Sequence, residues 1–194
     1  MKRFLLAAIG LFIIRSANAQ KNLLSLNEQN KYIYYQVVDM PGIALDSLKK
    51  NAEYFIKTTY PKAKPGPEVT AGNFYTSDKF LVYSVATFVK HESGEIAYTL
   101  NIECKDSKYR YWLTNFIFTP YEKNRYGVFV PKPGIDLPLE TAESKLDKKE
   151  LNGYFDQTGA FCKQLGEKLK LYMAEGHGIK KAEKLPAKVV TDKW

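Results

Sequence analysis

Few residues in this chain have the type and spacing to do chemistry. Its 194 residues include two histidines, His91 and His177, and two cysteines, Cys104 and Cys162. A nucleophilic serine or cysteine needs a base beside it, and in this chain that base would be one of the two histidines. His91 falls in a predicted turn, His-Glu-Ser-Gly, and His177 lies between two glycines near the C-terminus. Both read as exposed and inert. No Gly-x-Ser-x-Gly elbow surrounds a serine. The spacings that hold a metal, such as His-x-x-x-His, Cys-x-x-Cys or an Asp-rich calcium loop, are missing from the sequence. The expectation is therefore no metal, no cofactor and no catalytic residue. The paired carboxylates of a hydrolase can lie far apart in a chain. Here, though, Glu103 faces an arginine, Asp39 ends a strand and Asp46 opens a helix. A small envelope hydrolase built on paired carboxylates remains the enzymatic alternative.

Chemistry gives way to a scaffold, and the scaffold is organised around Gly94–Tyr121. Both arms of this stretch alternate as half-buried strands do. With Asp106-Ser107 as a two-residue turn, Lys105 lies opposite Lys108, Cys104 opposite Tyr109 and Glu103 opposite Arg110. The last pair is attractive across the strands. The same register puts Leu100 beside Leu113 and Ile96 beside Ile117. One face then carries Ile96, Tyr98, Leu100, Ile102, Cys104, Tyr109, Tyr111, Leu113 and Ile117, and reads as core. The other carries Ala97, Thr99, Asn101, Glu103, Arg110, Trp112, Thr114, Phe116 and Phe118. A strand over Lys79–Lys90 is expected to add Phe80, Ser84, Ala86 and Phe88 to this second face. Trp112, Phe116, Phe118, Arg110, Phe80 and Phe88 form the candidate binding surface, because exposed apolar patches mark interaction sites.

Around the hairpin the chain reads in order. Residues 1–19 have the form of a signal peptide: Lys2 and Arg3, an apolar run from Phe4 to Ile14, and Ala17-Asn18-Ala19 as a cleavage site. The protein is expected to be exported, periplasmic or secreted, after cleavage near Ala19. The formal charge of +8 then loses Lys2, Arg3 and Arg15, leaving a modestly basic chain. Residues 20–30 are a leader. Lys31–Asp39 is a strand, stopped by Pro41-Gly42. Residues 43–59 are an amphipathic helix with Leu45, Leu48, Ala52, Phe55 and Ile56 on one side. A short strand is expected at Glu68–Tyr75 and an edge strand at Tyr126–Val130. A helix is expected to start near Pro138 and to break at Asn152-Gly153. The last helix, 154–175, carries a wide apolar stripe from Tyr154 to Met173. Residues 176–194 read as a mobile basic tail. This order gives one α+β domain over 31–175, an antiparallel sheet with helices packed on one face. Cys104 and Cys162 both fall on core faces. In an oxidising compartment they are a candidate disulfide, and two buried thiols are the alternative.

The opening KYIYYQVVDMPGIALDSLKKNAEYFIKTTY, the hairpin KDSKYRYWLTNFIF and the order of elements resemble a domain of unknown function found in exported proteins of Bacteroidetes. That family has a fold similar to the TATA-box-binding protein (TBP-like). The likeness covers roughly Lys31–Phe118, with the last helix completing it. It implies a curved sheet with one face open and one covered by helices. It brings no catalytic residues, and it does not imply DNA binding, since fold does not fix function. The expected function is an exported, non-enzymatic interaction domain that uses the open sheet face. Its expected partner is an envelope protein or small ligand, not nucleic acid. Self-association through the same face, giving a homodimer, is the structural alternative.

Overall fold

The computed structural model describes residues 23–62, 72–84 and 91–175. In chain order these form β1 (Ser25–Leu26), β2 (Tyr32–Asp39), α1 (Leu45–Thr59), β3 (Asn73–Tyr83), β4 (Glu92–Lys105), β5 (Lys108–Lys123), β6 (Phe129–Pro131), β7 (Leu137–Pro138), a 3-10 turn (Ala142–Ser144) and α2 (Lys148–Ala174). The predicted signal segment with Ala17–Ala19, together with Phe88, His177 and the tail from 176, lies outside the described residues. The strands make one antiparallel sheet in the order β1-β2-β5-β4-β3, with β6 and β7 attached to β5 beyond the end of β2. Both helices lie on one face, which makes the chain an α+β antiparallel sheet with helices packed on one side. Among the described residues no helix is long and apolar enough to cross a membrane.

The β4–β5 hairpin follows the expected register at its tip. Lys105 faces Lys108, Cys104 faces Tyr109, Glu103 faces Arg110 and Leu100 faces Leu113. Ser107 completes the turn at φ +58°. Beyond Thr114 the expectation fails by one residue. Thr99 faces Thr114, but Ala97 faces Ile117 and Ile96 faces Phe118. Asn115 and Phe116 together oppose Tyr98, and Asn115 sits at φ +55°, which asparagine tolerates better than most residues. This bulge swaps the faces of β5. Tyr109, Tyr111 and Leu113 point to the helices before it, and Phe116 and Phe118 after it.

β3 is also shifted from the reading of the sequence. The strand starts at Asn73, and Phe80 stands opposite Ile96, so the even-numbered residues share the core face. Phe74, Thr76 and Val82 are buried there, and Leu81 is exposed. The stretch His91–Gly94 is not a turn, because β4 already begins at Glu92 and pairs with Tyr83. The helices differ from expectation in a related way. No helix starts at Pro138, which lies in β7, and Asn152-Gly153 does not break α2. Asp147 caps α2 by accepting from the Lys149 backbone N–H at 2.8 Å. Gly153, Gly159 and Gly166 are buried along the helix: a Cβ at Gly166 would lie 2.1 Å from the Tyr111 hydroxyl, which would have to move, and one at Gly159 would make a tight contact of 3.2 Å with Leu23.

The core between sheet and helices is rich in tyrosine. Tyr60 and Tyr98 are 6 % and 3 % exposed, with their hydroxyls 3.1 Å apart. Burial pushes the Tyr60 hydroxyl up to about 12 and the Tyr98 hydroxyl further. The folded state therefore holds these protons more tightly than the unfolded chain, in which tyrosine titrates near 10. Their contribution to stability is complete below pH 10 and is lost as pH rises through the folded values. The slope is about 1.4 kcal/mol per pH unit for each group. Urea unfolding at pH 8, 10 and 11 should show stability falling above pH 10. Tyr60→Phe should remove one group's share of that slope, and an unchanged slope in the variant would contradict the assignment.

Candidate functional site

The sheet has a second face, away from the helices, and its side chains come from four strands in register. Tyr35 of β2 stands opposite Trp112 of β5, Trp112 opposite Asn101 of β4, and Asn101 opposite Tyr75 of β3. The next row towards the hairpin tip is Val37, Arg110, Glu103 and Asn73. Tyr35 is 45 % exposed, Tyr75 48 % and Val37 53 %, while Trp112 is half-buried between its neighbours. Towards the other end the face is lined by small residues, Thr114, Thr99, Ser77 and Ala97. The aromatic side chains therefore gather at one end, above the Asp106-Ser107 turn.

Arg110 is held in place on this face. Its Nε donates to Glu103 Oε2 at 2.6 Å, and its Nη2 pairs with the same oxygen. Its guanidinium carbon lies 5.5 Å from the centre of the Trp112 ring. Hydrogen bonding to Glu103, then to Tyr35, pushes its pKa further up. An exposed ion pair of this kind contributes only about 0.2–1 kcal/mol to stability. Its consequence is positional: it fixes the guanidinium between the Trp112 ring and the turn. Lys105 also approaches Glu103, at 3.7 Å. Tyr35, Val37, Glu103, Lys105, Lys108, Tyr109 and Arg110 surround a hollow of 170 Å³ at this corner.

The structure divides the residues singled out from the sequence. Arg110 and Trp112 lie together on the open face. Phe116 and Phe118 do not: they are 0 % and 1 % exposed, carried to the helix side by the bulge at Asn115. Phe80 is also on the helix side, stacked on Phe161 of α2 with ring centres 4.0 Å apart. Phe88 lies outside the described residues. Cys104 and Cys162 are separate buried thiols. Cys104 sits near the hairpin end of β4, its N–H donating to Gly72, and Cys162 lies in the middle of α2. Burial pushes the Cys104 thiol up to about 12 and Cys162 beyond it, so neither is a ready nucleophile. His91 stacks on Phe129. Among the described residues no three His, Cys, Asp or Glu side chains are grouped to hold a metal.

Sequence reasoning missed Tyr35, Val37, Tyr75, Lys105 and Lys108 as parts of this surface. The alternation of Ile33, Tyr35 and Val37 was visible. What was missing was the pairing of β2 with β5, which brings that set beside Arg110 and Trp112.

Comparison with known proteins agrees with this fold. Residues 34–119 match a domain of unknown function (DUF4468) with TBP-like fold. The chain is similar to the crystal structure of a TBP-like protein from Parabacteroides distasonis, with a TM-score of 0.59 at 15 % identity, covering 75 % of this chain and 94 % of that one. It is also similar to a DUF4468 family protein from Bacteroides ovatus, with a TM-score of 0.57 at 11 % identity, covering 79 % and 91 %. At these identities the likeness establishes the fold alone. No curated protein matches the chain.

Proposed function

We propose that this chain, in which residues 34–119 match a domain of unknown function (DUF4468) with TBP-like fold, is an exported, non-enzymatic binding domain whose partner docks on the sheet face opposite the helices. One observation carries the reading. The row Tyr35–Trp112–Asn101–Tyr75 crosses four strands, and its two outer tyrosines are 45 % and 48 % exposed. Aromatic side chains fixed on a rigid sheet supply contact area at low entropic cost, which is why tyrosine and tryptophan are enriched where proteins bind one another. The partner that fits is a polypeptide. The row is long and shallow, and its middle offers the Asn101 amide, a donor and acceptor suited to a peptide backbone. The N-terminal segment supports export.

A photo-crosslinking amino acid placed at Tyr35 or Tyr75 in cells tests this, with Leu171 on the exposed side of α2 as the control position. The expected result is a discrete adduct with another polypeptide from the two sheet positions and none from Leu171. Adducts made only with a second copy of the chain would replace this reading with self-association. No adduct from the sheet positions would overturn it. Trp112→Glu should abolish the adducts while leaving the fold intact, with a stability change of about 1 kcal/mol or less, as for a surface site. A variant that unfolds would show Trp112 to be core.

A further inference from the structure

Resting on that reading of the sheet face, we propose that the partner segment is acidic, and that one of its carboxylates seats in the hollow at the hairpin tip. The hollow is lined by three cations, Lys105, Lys108 and Arg110, and a single carboxylate, Glu103. Lys105 and Lys108 stand directly opposite each other across the β4–β5 ladder. Like charges in that position repel and destabilise a hairpin, so the pair is unfavourable in the free protein. Glu103 is committed to Arg110 at 2.6 Å and reaches Lys105 only at 3.7 Å. Lys108 makes no ion pair among the described residues. Asp39 is its cross-strand neighbour from β2, and Asp106 lies in the turn, but neither lines the hollow. A carboxylate arriving from outside would relieve the lysine repulsion and meet the Arg110 guanidinium beside its contacts with Glu103 and Tyr35.

The form of the patch favours an acidic polypeptide over an anionic membrane. Its cations are concentrated at one corner and interleaved with Glu103, Asp39 and Asp106, so they suit one localised carboxylate better than a continuous sheet of headgroups. Beside the hollow lie Tyr35, Val37 and Trp112, which would take the apolar side chains of the same segment. In an extended peptide alternate side chains share one face, so acidic and apolar residues two apart would reach the hollow and the aromatic row together.

The chain has two tryptophans, Trp112 and Trp194, so the test uses the full chain carrying Trp194→Phe, in which Trp112 reports on the face. The probes are a synthetic peptide of the repeat Glu-Ser-Leu-Ser, in which Glu and Leu two residues apart share a face, its Gln-for-Glu counterpart, and phosphatidylcholine vesicles containing phosphatidylglycerol. Affinity is read from anisotropy of the labelled peptides and from Trp112 fluorescence. The Glu peptide should bind about tenfold more tightly than the Gln peptide at low salt, a difference of about 1.4 kcal/mol, with the gap closing as salt is added. Lys105→Glu with Lys108→Glu should remove the gap, as should the milder Lys105→Gln with Lys108→Gln. The Gln variant should be at least as stable as the parent, because it relieves the lysine pair, whereas the Glu variant sets two carboxylates opposite each other beside Glu103 and Asp39 and should be less stable than the Gln variant.

Equal binding of Glu and Gln peptides, with Trp112 responding to both, would overturn the acidic preference and leave the sheet-face reading standing. Binding that leaves Trp112 unmoved would place the peptide elsewhere and overturn both. Vesicles bound in preference to the Glu peptide, or no peptide bound at all, would overturn the inference.

Discussion

Phe118→Ala is expected to cost about 3–5 kcal/mol in urea unfolding, as full truncation of a buried aromatic does, while Ile117→Ala costs at most about half of that. The two residues are neighbours on β5, and the register read from the sequence places Ile117 in the core and Phe118 on the open face. The structure reverses that placement. Phe118 is 1 % exposed, faces Ile96 and stacks on Tyr154 of α2 with ring centres 4.6 Å apart. That stacking adds about 0.5–1.5 kcal/mol beyond the buried area. Ile117 is half-buried on the other face, opposite Ala97 and Pro138. The ordering of the two costs reads out the bulge at Asn115. If Ile117→Ala cost more than Phe118→Ala, β5 would run without the extra residue, and Phe118 would return to the open face. A fall in stability from Phe118→Ala also predicts weaker docking of α2, visible as faster amide exchange along that helix.

The contrast between these two residues also marks the limit of what the sequence discloses. The hairpin tip is legible from Leu100 to Leu113 because opposite charges, a two-residue turn and strict alternation all agree there. Past Leu113 the run Asn115-Phe116-Ile117-Phe118 is apolar on both parities, so alternation no longer selects a face. Only the left-handed conformation of Asn115 decides it, and asparagine occurs in many settings that need no such turn. The helix α2 shows a related limit. Gly153 reads as a break because glycine costs about 1 kcal/mol in a helix interior. That local cost is outweighed by packing on the sheet: the buried face that includes Gly166 lets α2 come down onto Tyr111. The binding surface was half legible for a third reason. Arg110 and Trp112 lie on the well-read hairpin, whereas Tyr35 and Tyr75 reach them only through strand neighbours that no local pattern specifies.

Gly94→Ala is expected to destabilise the fold by about 3 kcal/mol or more, at the upper end for overpacking, lowering Tm by about 6–12 °C for a domain of this size. Gly94 is buried in β4, facing Val82 on one side and Pro120 on the other. A Cβ there would lie 2.4 Å from Phe118 Cε2 and 2.5 Å from the Thr119 carbonyl oxygen. The ring has some freedom to tilt, at the expense of its stack on Tyr154. The carbonyl belongs to the backbone of β5 and moves only if the two strands part. Shrinking the ring with Phe118→Leu in the same chain should therefore fail to restore stability, because the Thr119 oxygen remains. Gly127 provides the control. It sits at φ +77° with nothing within 4 Å of its Cβ position, so Gly127→Asn, which suits a left-handed backbone, should change stability by about 1 kcal/mol or less. Were Gly94→Ala no worse than Gly127→Asn, β4 and β5 would have to be further apart at Phe118 than the structure places them. The seat of Phe118 against α2 depends on that close approach.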